Sequence, residues 1–440
     1  MGTGRRLAVL LLALAVIGTP AAAMRVGCVG ASCRSSDGSG EPAPFCSLPA
    51  DLRALITAGT YEGRSPDALG VAGSTAVKSD VGGGTEVPWP TVGEVAAMTV
   101  PVLFIGRGIR TAELVSTLGL DQIAPTLAQS MGLERPHPEV RSGTPIPGVI
   151  GSDRITPLTV LIVWKRLGMD DLPNEPTPWF DHASSRPGST NDPGTGEPGI
   201  AGGLATAGSL PLDPTAVETT IGTGGLPSQH GITGTWVRSP RSSLTRAYGP
   251  GAPPTVIASL GDDLDRATGG RALIGLIRGT PGDVGLTGDA WYGTGPVRDA
   301  TVRAGASIPA QVTGFLREGW GADATPDLLA VPIDGGPASA DRVTARIVDE
   351  VLAAVPDATI VVTATGSLSA PDAVLAAAPP GVVLAPHGDA GGGFFVDRGA
   401  DVATTAQQVV DAMRAQTAPG GSPLYEDAFA SYAVRFGRYC

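Results

Sequence analysis

Apolar residues recur along the chain in two rhythms. Leu48, Leu52, Leu55 and Ile56 fall on one face of a 3.6-residue period and predict a helix over 47–58. A short apolar run at 67–72 follows, then a Gly-rich stretch at 81–85. Residues 100–106 (VPVLFIG), 158–164 (LTVLIVW), 272–277 (ALIGLI), 328–333 (LLAVPI) and 359–363 (TIVVT) are unbroken apolar runs of strand length. Continuous rather than alternating hydrophobicity marks strands covered on both faces, the condition of a parallel sheet. Residues 120–131 and 215–221 read as helices, and 343–355 (VTARIVDEVLAAV) as an amphipathic one. The Gly-, Pro- and Ser-rich stretch at 176–204 reads as a long loop. Alternating strand and helix patterns predict a layered α/β fold with a mainly parallel sheet, and no internal repeat is evident.

Composition narrows the class of protein. Hydrophobic residues at 42% against 16% charged describe a chain that folds around a core. The formal net charge of −12 excludes the basic footprint that non-specific nucleic-acid binding needs. Arg5 and Arg6, the apolar run 7–17 and Ala21-Ala22-Ala23 have the three parts of a cleavable secretory signal. Residues 1–23 are therefore expected to be a signal peptide, 24–45 a flexible linker, and 46–440 a single domain that is secreted or extracytoplasmic. No later stretch is apolar for the length that a membrane span requires. Four cysteines, Cys28, Cys33, Cys46 and Cys440, allow two disulfides in three connectivities, and no CxxC spacing favours a zinc site.

Two segments carry a resemblance. LIVWKRLGMDDL at 161–172 resembles the opening strand of the alkaline-phosphatase superfamily, and TTIGTGGLPSQHGITG at 219–234 resembles its "TGxxPxxHGI" turn. That superfamily includes sulfatases and nucleotide pyrophosphatase/phosphodiesterases. VPVLFIGRG at 100–108 with LDQIAPT at 120–126 resembles the unit that normally closes its catalytic domain, and IVVTATG at 360–366 the strand before that unit. The landmarks keep one cyclic order but start elsewhere, so the resemblance implies a circularly permuted three-layer α/β/α sandwich. Under that permutation a Cys46–Cys440 bridge would join the former seam, leaving Cys28 with Cys33.

Active members of the superfamily use two zinc or other divalent ions and a Thr, Ser or modified Cys nucleophile. Where the opening strand should deliver acidic ligands, this chain has Lys165 and Arg166, and two cations repel a divalent ion. The nucleophile position falls on Pro214, with Thr215 beside it as the candidate hydroxyl or, alternatively, as an N-cap. Asp334 follows the 328–333 strand, but Ala338 stands where its histidine partner would be, and the 359–363 strand ends in Thr365-Gly366-Ser367 instead of Asp-His-Gly. His230 is expected to be a packed turn histidine; His137, His182 and His387 read as solvated loop residues. The expectation is an exported protein with a degenerate metal site, no metal or other cofactor, and a binding or structural role at the envelope. The alternative is an active metal-dependent phosphodiesterase, phosphatase or sulfatase. Lys165 and Arg166 either hold a small anionic ligand at the C-terminal ends of the strands or pair with Asp334 or another acid.

Overall fold

The computed structural model describes residues 45–437 except for 73–76, 80–84, 88–97, 152–153, 186–197, 240–243, 289–290, 293–297, 302–306, 368–372, 376–381, 384–392, 397–400 and 416–424. The predicted signal and linker up to residue 44, Cys28, Cys33, His387 and Cys440 lie outside these residues. Among them no helix is long and apolar enough to cross a membrane.

An eight-stranded sheet organises the molecule. From one edge to the other its strands are Arg298–Thr301, Ile274–Arg278, Asp327–Ile333, Leu158–Trp164, Thr359–Ala364, Thr99–Gly106, Gly199–Thr206 and Ala112–Gly119. Every residue of 99–106, 158–164, 327–333 and 359–364 is buried, as continuous apolar runs require. The first five strands are mutually parallel. Strand 99–106 pairs antiparallel with both of its neighbours, while 112–119 runs parallel to 199–206. Seven strands therefore point one way and 99–106 alone opposes them. Its apolar run correctly predicted burial, but a continuous run carries no record of strand direction.

Helices flank the sheet. The helix Pro337–Ala354 turns Ala340, Thr344, Ile347, Val348 and Val351 inward, and the Thr344 hydroxyl accepts a 2.8 Å bond from the indole nitrogen of the buried Trp164. Two expectations needed revision. The stretch read as a loop over 176–204 contains the helix Pro178–Ser184 and the start of strand Gly199–Thr206. Gly and Ser are weak strand formers, yet this strand is paired on both sides and takes its stability from those pairings. His182 accordingly sits on a helix, exposed, whereas His137 is exposed in a turn beside Glu139.

A second sheet of four strands, in the order Val382–Val383, Gly393–Val396, Ala68–Ala72 and Tyr425–Ala430, interleaves segments from both ends of the chain. The helix Ser431–Gly437 packs on Ala50–Gly59 and on the turn Phe45–Ser47. The rings of Phe45 and Phe429 meet edge to face at 5.1 Å, so the two ends of the described chain are neighbours.

Candidate functional site

The C-terminal ends of the parallel strands gather the charged residues that matter. Lys165 directly follows strand 158–164, and its backbone N–H donates to Ile333 O at the end of the adjacent strand. The side chain is 8% exposed. Its ammonium donates to Asp283 Oδ1 at 2.5 Å and to Thr280 Oγ1 at 2.9 Å, and lies 3.5 Å from Glu218 Oε1. Asp283 and Glu218 are fully buried.

Local sequence explains how each acid arrives there. Strand 274–278 ends in Gly279-Thr280, and the 3-10 turn Pro281–Leu286 follows with Thr280 as its N-cap. Asp283 Oδ2 accepts the backbone N–H groups of Gly279 and Thr280, each at 2.7 Å, while the Thr280 hydroxyl donates to Oδ1. This capping arrangement fixes the carboxylate before Lys165 reaches it. Glu218 lies one turn into the helix Pro214–Thr223. The 281–286 turn packs onto that helix through Gly282 and Gly285, where a Cβ would fall 2.3 Å and 2.5 Å from the hydroxyls of Thr215 and Thr219. Only glycine permits this approach, and the approach brings Asp283 and Glu218 to one ammonium.

Two acids against one ammonium, all out of water, shift their proton equilibria. Burial pushes the Glu218 carboxyl up to about 8, with Asp283 adding repulsion and Lys165 opposing both. Burial works against the Lys165 ammonium, but Glu218 and Asp283 outweigh it and hold its pKa above the usual lysine value. Neither Glu218 oxygen has a hydrogen-bond partner among the described residues. The other two predicted ligand residues are exposed at the strand ends: Asp334 adds a further charge that favours the Lys165 ammonium, and Arg166, at φ 58, donates its backbone N–H to the Thr365 hydroxyl.

Thr215 does not cap its helix. Asp213 is the N-cap, accepting the N–H groups of Thr215 at 2.8 Å and Ala216 at 3.3 Å, and it also accepts the Thr235 N–H at 2.9 Å. A carboxylate is the stronger acceptor, and Pro214 at the first helical position places it to reach both donors. Burial lifts Asp213 to about 6 against the pull of those N–H groups. The Thr215 hydroxyl lies 3.0 Å from that of Thr235, which is itself 3.2 Å from Asp213 Oδ1.

His230 is the packed turn residue that the sequence indicated. Its Nδ1 accepts the Ile232 N–H at 3.1 Å, so Nε2 carries the proton and donates to Thr220 Oγ1. Burial, helped by the charge of Arg64, lowers its pKa to about 3, and the ring is neutral. At the far end of the same helix, Arg135 and Arg141 both reach Asp263 Oδ2 and the Thr223 carbonyl, the last turn of the helix. Every guanidinium nitrogen there has a partner, which makes this a structural clamp on the helix C-terminus.

The donor set does not suit two divalent ions. Among the described residues no three His, Cys, Asp or Glu side chains converge, and an ammonium already fills the gap between the two acids that do. Sequence reasoning found the cation but neither of its partners. Two signals were present: Glu218 is the one charged residue in the otherwise neutral run 214–223, and Asp283 closes a Thr-Pro-Gly-Asp turn directly after a strand. No protein-family model, curated protein or solved structure matches the chain.

Proposed function

We propose that this chain is an exported, non-catalytic protein of alkaline-phosphatase type, with a binding or structural role at the cell envelope. The observation that carries the reading is the position of the Lys165 ammonium, 2.5 Å from Asp283 and buried at the C-terminal end of a central strand. Ligands in open α/β sheets bind at such strand ends, and metal-assisted ester hydrolysis needs carboxylates there that are free to coordinate. Here those carboxylates are committed to a lysine. The Thr215 hydroxyl meets the Thr235 hydroxyl, and the neighbouring Asp213 carboxylate is engaged by the N–H groups of Thr215, Ala216 and Thr235.

The same cluster weighs against Lys165 as an anion site, because an incoming phosphate or sulfate would meet an ammonium already balanced by Asp283. The permuted order of segments is supported by strand 99–106 lying beside 359–364 in one sheet and by the contact between the chain ends. Purified protein should hydrolyse aryl phosphate, phosphodiester and sulfate esters no faster than buffer, with or without zinc, manganese or magnesium. Metal-dependent turnover that disappears in Thr215→Ala would overturn the reading.

A further inference from the structure

We propose that residues 172–184 form a strap held shut by an exchange of helix caps with the helix Pro337–Ala354, and that this strap opens as a unit while the sheet stays folded. The device is independent of whether the protein is catalytic. The helix Pro178–Ser184 has seven residues, too few to persist in water on its own. Its N-cap residue, Thr177, makes no side-chain bond to the first turn, and that hydroxyl donates to Asp181 Oδ1 at 3.3 Å instead. The first-turn donors find their acceptor elsewhere. Trp179 and Phe180 donate their backbone N–H groups to Asp341, at 3.2 Å to Oδ2 and 2.8 Å to Oδ1. Asp341 is 1% exposed and belongs to the 337–354 helix. That helix has Gly336 as its N-cap, which offers no side chain, and its Ala338 N–H donates to Glu175 Oε2 at 2.9 Å. Each helix start therefore takes its carboxylate from the other's segment. Such a group satisfies donors that a helix leaves open and complements the positive end of its dipole.

The strap lies against the residue before Lys165. The rings of Phe180 and Trp164 meet edge to face at 5.7 Å. Asp341 and Thr344, three residues apart on one helix face, hold the strap and the Trp164 indole respectively. Only Leu172, Thr177, Phe180 and Ala183 of the strap are buried, whereas strands 158–164 and 327–333 are buried throughout. A segment with so few buried contacts opens locally at far lower free energy than the core, and the caps set that free energy.

Native-state hydrogen exchange on the full chain tests the proposal. Asp341→Ala should speed exchange of the amides from Trp179 to Ser184 about tenfold, the effect of losing a helix cap. Exchange in strands 158–164 and 327–333 should stay at the parent rate. Asp341→Asn, which keeps one acceptor oxygen, should give a smaller increase and serves if the alanine variant does not fold. Glu175→Ala, at an exposed position, should speed the same strap amides. Unchanged exchange over 179–184 in Glu175→Ala and in the Asp341 variants, or equal acceleration in the two strands, would overturn the proposal.

Discussion

A methyl group on Gly282 would lie 2.3 Å from the hydroxyl oxygen of Thr215 and 3.1 Å from its Cβ. This contact seats the 281–286 turn on the 214–223 helix and so sets the height of Asp283 beneath Lys165. Gly282→Ala should destabilise the protein by about 1–3 kcal/mol, the usual cost of overpacking. Thr215→Ala removes the hydroxyl at 2.3 Å and the methyl at 3.0 Å and leaves only the Cβ at 3.1 Å, so the double variant should recover much of the loss. Urea melts of the four proteins in this cycle measure the coupling, and additive effects would contradict it.

Asp283 holds both a turn and a buried ammonium. Asp283→Ala should cost about 3–5 kcal/mol, because it strands Lys165 and frees the N–H groups of Gly279 and Thr280. Combining it with Lys165→Met should cost less than the sum of the two single changes, since no unpaired cation remains. The measurement is again chemical denaturation at fixed pH.

Stability should fall as the pH rises above neutrality. Glu218 has a folded value of about 8 against 4.5 unfolded, so the folded protein holds a proton that the unfolded chain has released. Its contribution is complete below pH 4.5 and is lost as pH climbs through 8, at about 1.4 kcal/mol per unit. Asp213, about 6 folded against 3.8, acts in the same sense between those values. His230 acts in the opposite sense: at about 3 folded against 6.5, it gives stability that is lost as pH drops from 6.5 towards 3. Between pH 6.5 and 8 Glu218 has no such opposition from His230. Glu218→Gln should flatten the slope in that window, and an unchanged slope would show that another group is responsible.

Cys46 takes part in a disulfide, and the three other cysteines all lie outside the described residues. The contact of Phe45 with Phe429 places Cys46 near the C-terminal segment. Non-reducing peptide mapping should recover one peptide pair joining Cys46 to Cys440. Cys46→Ser should then lower stability by about 2–4 kcal/mol, as opening so long a loop implies. A Cys46 peptide linked to Cys28 or Cys33 would refute the pairing.

The sequence by itself determined the layered α/β class and the central strands, because unbroken apolar runs such as 158–164 and 359–363 can be satisfied only by burial on both faces. It also marked Lys165 as a cation at a strand end and His230 as a turn residue, since both follow from local pattern. Strand 199–206 was not legible, for its Gly-rich run is held by neighbours 87 or more residues away in the chain, counted as 206 − 119 for Gly119 opposite Thr206. The reversed direction of 99–106 was likewise settled by packing, whereas the Asp213 N-cap is local, set by Pro214 at the first helical position. Above all, only the tertiary structure brought Glu218 and Asp283 to Lys165, across separations of 53 and 118 residues, counted as 218 − 165 and 283 − 165. Charge pairing in a buried site depends on distances of a few ångströms, and spacing along the chain does not encode those distances until the glycine contacts of 282 and 285 close the turn onto the helix.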